Sequence, residues 1–364
     1  MRLGFDVSPL HRPHPPGVVR ATRGLVLALE RRRVLEVERL APRAGANLRR
    51  WRHAEVAEEL ARRGLAAFHS PVSAFPVLAA RRAFRRVHTV HELPWRHGAE
   101  ENAGVLHRAW SGLAGRRADA TVVPSAFVER DLRAEPFAGA RRVAVVPWGV
   151  DACFTVDADA RSSRGEAAEP DRASAEPART SRARAERVRA WSDFALVVGG
   201  ARPKKNADAL LRALRVLPAT RRPNVVITGA ATDEDVARLR AAAGDDSARV
   251  RFEPELADED LAVAYRAARA VVVLSRSEGF AFPVVEGFAC GAPAIVARGT
   301  AQAELAGDAG LAVDAESAED VARALELAAD ERARLSALGR ARAAMFTWDA
   351  AAERVERLWK ELAP

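Results

Sequence analysis

The stretch Ser275-Arg-Ser-Glu-Gly-Phe-Ala-Phe-Pro-Val-Val-Glu-Gly-Phe-Ala-Cys-Gly-Ala-Pro293 follows an apolar run, Ala270-Val-Val-Val-Leu274. A run that short, apolar at consecutive positions and rich in valine, reads as a buried strand of a parallel sheet. Pro283 suits the first position of a helix, where its missing N–H costs nothing, and Gly291 marks the expected end of that helix. Strand, loop and helix in that order form one repeat of an α/β sheet. Glu278 then falls in the loop, and Glu286, eight positions on, in the first turn of the helix. Both stand at the carboxyl end of a strand, where ligands of open α/β sheets bind. The helix N-terminus adds unpaired N–H groups and partial positive charge, which suit a phosphate. Taken singly, each residue also has an ordinary reading: Glu286 as a surface acid favoured by the dipole, Glu278 as a loop acid, Gly279 as a turn residue.

The same alternation extends in both directions. Towards the C-terminus lies Pro293-Ala-Ile-Val-Ala297, and before the opening stretch come Phe194-Ala-Leu-Val-Val-Gly-Gly200, Asn224-Val-Val-Ile-Thr-Gly229 and Val250-Arg-Phe252, with helical stretches between them. The first half opens with a strand, Leu3 to Val7, and a loop holding Pro9, Pro13, Pro15, Pro16 and Gly17. A helix from about Val18 to Arg33 follows. Further strands are expected at Ala66-Ala-Phe-His69, Val87-His-Thr-Val90, Ala120-Thr-Val-Val123 and Val143-Ala-Val-Val146, with helices such as Arg52 to Arg63 and Ala103 to Arg117 between them. The fold class is therefore α/β, with two domains of parallel sheet covered on both faces. From Thr155 to about Ala190 large apolar residues nearly vanish, which suggests a linker or insertion. The expected division is 1–154, a linker over 155–190, a second domain over 191–345, and a terminal helix over 346–364. Trp348, Ala351, Ala352, Val355, Leu358, Trp359 and Leu362 fall on one stripe of that helix, which must pack against a domain.

Composition bounds the partners. The 364 residues are 49% hydrophobic and 29% charged, enough for two globular domains and too many for a small disulfide module. No apolar stretch approaches a membrane span, the start lacks the features of a secretory signal, and only Cys153 and Cys290 occur; a soluble, cytoplasmic, reduced protein is expected. Of 57 basic residues 54 are arginine and three lysine, a compositional bias that makes the adjacent Lys204 and Lys205 informative. Residues 1–154 carry a net charge of +11 and the remainder −3, so the basic surface belongs to the first half. Such a surplus fits nucleic acid, an anionic membrane or a phosphorylated substrate, but with aromatic residues at only 6% no base-stacking motif accompanies the arginines. No nucleic-acid partner is expected.

Two further groups of residues could carry chemistry. In Val197-Val-Gly-Gly-Ala-Arg-Pro-Lys-Lys-Asn206 a strand runs into a glycine pair, three cations and a helix start, and a lysine there can meet a diphosphate as a point charge. An exposed, solvated turn is the alternative. All eight histidines lie at or before His107, no His/Cys/carboxylate cluster has metal-ligand spacing, and no metal is expected. His91 follows a strand at its carboxyl edge, which suits a ligand contact as well as a structural hydrogen bond.

With these residues in view, the chain resembles the retaining GT-B glycosyltransferases of family 4, the glycosyl transferases group 1. The likeness rests on Glu278-x7-Glu286 in its E-G-F-x-x-P context, the opening strand and Pro/Gly loop, Val87 to Pro94, Thr121-Val-Val-Pro-Ser125, Val145-Val-Pro-Trp-Gly-Val-Asp151, Pro203-Lys-Lys-Asn206, Glu304-Leu-Ala-Gly-Asp308 and Phe346-Thr-Trp348. The resemblance implies two Rossmann-like domains facing across a cleft, with the last helix returning to the first domain. It also implies transfer from a nucleotide-sugar donor, held mainly by the second domain, to a saccharide or lipid-linked glycan acceptor on the first, without metal or cofactor. On this resemblance Lys205 neutralises the leaving diphosphate, Glu286 binds ribose hydroxyls, Glu278 lies near the donor sugar and His91 faces the sugar. Gly17, Gly200, Arg202, Ser277, Gly279, Phe280 and Phe282 are the remaining expected donor contacts.

The sequence departs from the family pattern in places. Gly199-Gly200-Ala201 stands where Gly-Arg is common, which leaves Arg202 to reach the diphosphate; Ala281 replaces a usual glycine; and Gly17 is alone where a pair is common. The resemblance suggests GDP-mannose as donor and a role in envelope or exopolysaccharide assembly. A sugar-nucleotide epimerase, or a non-catalytic binding protein of the same fold, are the alternatives. Because such acceptors are often lipid-linked, Arg81, Arg82, Arg85 and Arg86, interleaved with Leu78, Ala79, Ala80 and Phe84, form a candidate peripheral contact with the inner face of an anionic membrane, set against a merely solvated helix.

Overall fold

The structure is a computed structural model; it describes residues 1–77, 79, 83–98, 104–135, 142–156, 186, 188 and 191–362, with backbone alone at 105–107. Nearly all of the expected linker lies outside the described residues. Two compact units emerge: Met1–Gly149 with Ser277–Phe280 and Phe346–Pro364, and Val150–Arg276 with Ala281–Met345.

The first unit is built on a parallel sheet of β1 (Arg2–Asp6), β2 (Glu36–Leu40), β3 (Ala67–Ser70), β4 (Arg85–Thr89), β5 (Ala120–Val123) and β6 (Val143–Val145), in the order β2-β1-β3-β4-β5-β6. β3, β4 and β5 are buried along nearly their whole length, as strands covered on both faces must be. β2 is an edge strand, and its Glu36, Glu38 and Arg39 suit an edge that must not recruit further strands. The strands are laid down first to one side of β1 and then to the other, so the order reverses between β1 and β3. Ligand sites of such sheets lie outside the carboxyl ends of the strands at that reversal.

Helix α1 (Pro16–Arg32) starts with proline in its first turn and ends at Arg33, whose φ is 54°. Gly17 is its second residue and exposed. Trp51–Glu55 wind as a π-type turn ahead of α2 (Val56–Arg63). The last helix, Trp348–Leu362, docks on α1 within this unit and buries Ala351, Ala352, Val355, Leu358 and Trp359, most of the stripe read from sequence. A side chain at Gly24 would come within 2.1 Å of the Trp348 ring, and one at Gly149 within 2.2 Å of the Trp348 backbone nitrogen. Arg32 clamps the nearly buried Glu356 through Nε and Nη2, both at 3.0 Å, and Arg31 meets Asp349 at 2.8 Å.

The basic stretch proposed for lipid contact is corrected here. Leu78, Ala80, Arg81 and Arg82 lie outside the described residues, but Arg86 is only 1% exposed and Phe84 is buried. Arg86 sits in β4, donates from Nη2 to the Ala79 carbonyl at 2.8 Å and stacks over the Phe84 ring. Arg85 is exposed and paired with Asp119 at 3.1 Å. Arg85 and Arg86 therefore do not share one outward face, and Arg86 and Phe84 are not available to a lipid surface. Among the described residues no helix is long and apolar enough to cross a membrane.

The second unit has a parallel sheet of β7 (Phe194–Val198), β8 (Asn224–Thr228), β9 (Val250–Glu253), β10 (Ala270–Val273), β11 (Ala294–Ala297) and β12 (Leu311–Val313), in the order β12-β11-β10-β7-β8-β9. Counted from β7 this is the strand order of dinucleotide-binding sheets, and its reversal lies between β7 and β10. Leu210, Leu211 and Leu214 of the helix Ala207–Leu214 pack with Val225, Ile227, Val272 and Ile295 to fill one face. The helix after β10 spans Phe282–Ala289, with Pro283 second and Glu286 fifth, so Glu286 lies in the second turn, one position deeper than the sequence suggested. Gly291, with φ 78°, follows its C-cap Cys290.

Candidate active site

The two loops at the reversal point of the second sheet carry most of the expected donor residues. Beyond β7 the chain turns through Gly199 and Gly200 with φ of 101° and 91°, which only glycine adopts without strain. Both N–H groups donate to the Thr228 carbonyl, at 3.0 and 2.9 Å. A Cβ at Gly200 would lie 2.2 Å from the Ala230 carbonyl oxygen, so this glycine is required by the neighbouring strand's loop. A Cβ at Gly199 would instead meet Lys205, 2.8 Å from Cε and 2.9 Å from Nζ. The ammonium thus folds back over the bare backbone of Gly199. Lys205 is carried by a 3-10 turn, Pro203–Lys205, that ends in Asn206 with φ 52°. Arg202 precedes the turn and is exposed.

The loop after β10 is tied to this turn. Arg276 donates its N–H to the Lys204 carbonyl at 3.0 Å, and Gln302 Nε2 donates to the Ser275 carbonyl at 2.6 Å. Glu286 is 2% exposed, and Tyr265 donates its hydroxyl to Glu286 Oε2 at 2.9 Å. Tyr265, itself fully buried on the helix Asp258–Ala267, orients that carboxylate. Sequence reasoning missed it, although one signal was present: it is the only tyrosine in the chain. Ala281 has φ −78°, open to any residue, so alanine carries no backbone strain where the family has glycine. Phe282 opens the helix and is buried.

Ser277–Phe280 pack with the first unit, and so does His91. Ser125 Oγ donates to the Gly279 carbonyl at 2.9 Å while accepting from the Val128 N–H as the N-cap of the helix Ala126–Ala134. Ser277 Oγ reaches Glu92 Oε2 at 3.4 Å. A Cβ at Gly279 would fall 1.5 Å from the His91 carbonyl oxygen, so no side chain fits there. These contacts bring Glu278, flanked by Ser277 and Gly279, beside the His91 segment. Phe280 is buried against Phe346, with ring centroids 6.0 Å apart. Ser125 was quoted in the sequence without a role; its hold on a loop 154 positions away has no local signature.

His91 is half-buried, and its Nε2 lies 2.8 Å from the Pro71 carbonyl. A carbonyl only accepts, so Nε2 carries the proton. Burial pushes the ring down to about 4, against the pull of that hydrogen bond, so near pH 7 the imidazole is neutral with Nδ1 as an acceptor. The expected residues thus fall into two sets: Gly200, Arg202, Lys205, Phe282 and Glu286 in the second unit, and Gly17, His91, Ser277, Glu278, Gly279 and Phe280 in the first. Among the described residues no group of three or more His, Cys, Asp and Glu side chains is arranged to hold a metal ion.

Comparison with known proteins bears on these sets. The family model of glycosyltransferase family 4 matches residues 1–153, and that of the glycosyl transferases group 1 matches residues 182–344. An Escherichia coli O-antigen chain mannosyltransferase B is 33% identical over 166 residues, 44% of this chain and 44% of that protein. The chain spans less than half the length of the curated relatives it matches. Sucrose-phosphate synthase from Thermosynechococcus elongatus superposes with a TM-score of 0.73 at 21% identity, over 99% of this chain and 98% of that one. Anabaena HepE, solved with UDP and glucose, gives 0.69 at 15% identity, over 99% and 100%. At these identities the superpositions speak for the fold. The two parallel six-stranded sheets, their structural neighbours and the two family models together place the chain in glycosyltransferase family 4, the glycosyl transferases group 1, with the GT-B fold.

Proposed function

We propose that this chain is a retaining, metal-independent glycosyltransferase that moves a hexosyl group from a nucleotide-sugar to a glycan or lipid-linked acceptor. The observation that carries the reading is the combination, at the reversal point of the second sheet, of Lys205 folded over the Gly199 backbone with a buried Glu286 oriented by Tyr265. Departure of a nucleoside diphosphate places negative charge on phosphate oxygens, and a fixed ammonium beside bare backbone meets it where it develops. Arg202 supplies a second cation. The Glu286 oxygens accept from the ribose hydroxyls. Loss of the diphosphate leaves an oxocarbenium-like centre, which the Glu278 carboxylate favours electrostatically. His91 cannot add positive charge in its neutral form; its Nδ1 accepts from a hydroxyl of the sugar and fixes its orientation. The acceptor oxygen attacks the face that the diphosphate leaves, a phosphate oxygen takes its proton, and configuration is retained.

The E. coli relative's name favours a mannosyl donor such as GDP-mannose and a product in envelope polysaccharide, whereas the HepE complex is with UDP and glucose, so both bases belong in the test. The experiment is thermal stabilisation by nucleoside diphosphates and nucleotide-sugars in the presence of a chelator, repeated on Lys205→Ala and Glu286→Ala. Stabilisation by one base family, abolished by both substitutions, supports the reading. No shift with any nucleotide in a folded sample overturns it. Product analysis with acceptor then separates transfer from epimerisation, which needs none, and the anomeric configuration of the product tests retention.

A further inference from the structure

Outside the groups assigned so far, the first sheet carries a polar cluster at its own reversal point. β1 ends at Asp6, which is fully buried and accepts from the Ser8 N–H at 2.7 Å. Arg52, in the π-type turn Trp51–Glu55, reaches it: Nε donates to Asp6 Oδ2 at 3.2 Å, and Nη2 to Ser8 Oγ at 2.8 Å and His14 Nε2 at 3.1 Å. His14 Nδ1 in turn donates to the Arg12 carbonyl at 3.0 Å. His14 thus accepts at one ring nitrogen and donates from the other. The guanidinium is therefore pinned through two of its three nitrogens.

The third, Nη1, has no hydrogen-bond partner among the described residues, yet it is not wholly enclosed, and Arg52 as a whole is 8% exposed. Arg52 compensates the buried Asp6 carboxylate through Nε, a pairing that is on balance a weak source of net stability and in which the Nη1 edge takes no part. Three observations point to a ligand. The cluster stands outside the carboxyl ends of β1 and β3, where the strand order reverses. It is carried on a π-type turn, a rare winding that concentrates at functional sites. A second cation lies on the same segment, since Arg49 as well as Arg52 pushes the neighbouring His53 below its usual range, in addition to the larger effect of burial.

We infer that Arg52 is an oxyanion-binding residue of the first unit, presenting its Nη1 edge to a phosphate or carboxylate carried by the acceptor. A guanidinium already held by Asp6, Ser8 and His14 loses little freedom on binding, and its two remaining N–H groups are charge-assisted donors. Naming the ligand as part of an acceptor rests on the glycosyltransferase reading; the binding of an oxyanion does not.

The test uses the full chain, in a Lys205→Ala background so that the proposed diphosphate site cannot answer for it. Thermal stabilisation is measured with glycerol 3-phosphate, glucuronate, and their neutral counterparts glycerol and glucose, all at equal ionic strength set with sodium chloride. Arg52→Gln removes the charge and leaves Asp6 uncompensated; the double variant Asp6→Asn/Arg52→Gln removes both charges while keeping polar contacts, and guards against a failure to fold. The expected result is stabilisation by one or both anions but by neither neutral compound, weakened at least fivefold in apparent affinity in the double variant. Which anion acts distinguishes a phosphorylated from an acidic acceptor. An anion response that persists in a folded double variant, or no response to either anion in the Lys205→Ala background, overturns the inference. Nucleotide binding measured on the wild-type chain reports separately on the glycosyltransferase reading.

Discussion

Tyr265→Phe removes one hydroxyl and leaves the ring in place, still edge-to-face with Phe154 at 5.8 Å between centroids. What is lost is the hydrogen bond to Glu286 Oε2 at 2.9 Å. A hydrogen bond to a charged group contributes about 1.5–3 kcal/mol, and its removal withdraws a donor from a buried carboxylate. The upper bound on nucleotide affinity follows directly, a weakening of roughly a hundredfold if the whole of about 3 kcal/mol served to pre-orient Glu286. The lower bound follows from rotamer counting: a carboxylate released to share about three χ1 wells is correctly placed about a third of the time, and affinity falls roughly threefold. The assay is calorimetric titration of a nucleoside diphosphate and its 2′-deoxy analogue into wild-type, Tyr265→Phe and Glu286→Ala proteins, with circular dichroism as a check on folding. If Tyr265 acts through Glu286 on the ribose, the losses from the substitution and from the missing hydroxyl are less than additive. Additive losses, or a Tyr265→Phe protein that binds as tightly as wild type while Glu286→Ala does not, refute the reasoning.

Gly200→Ala places a side chain at φ 91° and 2.2 Å from the Ala230 carbonyl, and a loss of about 2–4 kcal/mol is expected in urea unfolding. Ala281→Gly, at φ −78°, should cost no more than about 1 kcal/mol, through the greater freedom of the unfolded chain. Gly279→Ala cannot be accommodated against the His91 carbonyl at 1.5 Å; turnover should be lost while nucleotide binding by the second unit persists, which titration and product assays separate. His69 and His88 are buried in β3 and β4, and burial pushes both from 6.5 to about 3. Their folded values lie below the unfolded one, so the unfolded chain takes up protons first. Stability is full above about pH 6.5 and falls towards pH 3, by up to about 1.4 kcal/mol per pH unit for each histidine. Urea unfolding at pH 7.5, 6 and 5 should show this fall, and His88→Gln should flatten it; an unchanged slope would mean that His88 titrates alike in both states.

How much of this was legible in the sequence depends on where each element lies. β10 and the helix after it announce themselves because a strand buried on both faces is a continuous apolar run and Pro283 punctuates the helix start. β2 gives no such signal: as an edge strand it carries Glu36, Glu38 and Arg39, and its strand character comes from pairing with β1. Lys205 stood out because lysine is scarce in an arginine-rich chain. The same richness misled the reading of Arg86, which proves to be an interior hydrogen-bond donor. Tyr265, Ser125 and Arg52 went unread because their partners are 21, 154 and 46 positions away. Periodicity reports which face of an element is buried, and does not report what that face meets.

The last helix has a consequence for the order in which the chain becomes structured during its synthesis. Trp348 nests against Gly24 and Gly149, and residues 346–364 complete the unit begun by residues 1–149. When Gly149 has emerged from the ribosome, about 200 further residues must be translated before α1 is covered, an interval of roughly 10–40 s at bacterial elongation speeds. The second unit is complete by Met345, so the half that is made first is closed last. Until then the α1 surface around Gly24, on which the Trp348 ring packs in the finished molecule, has no cover, and that interval is when a chaperone would find it.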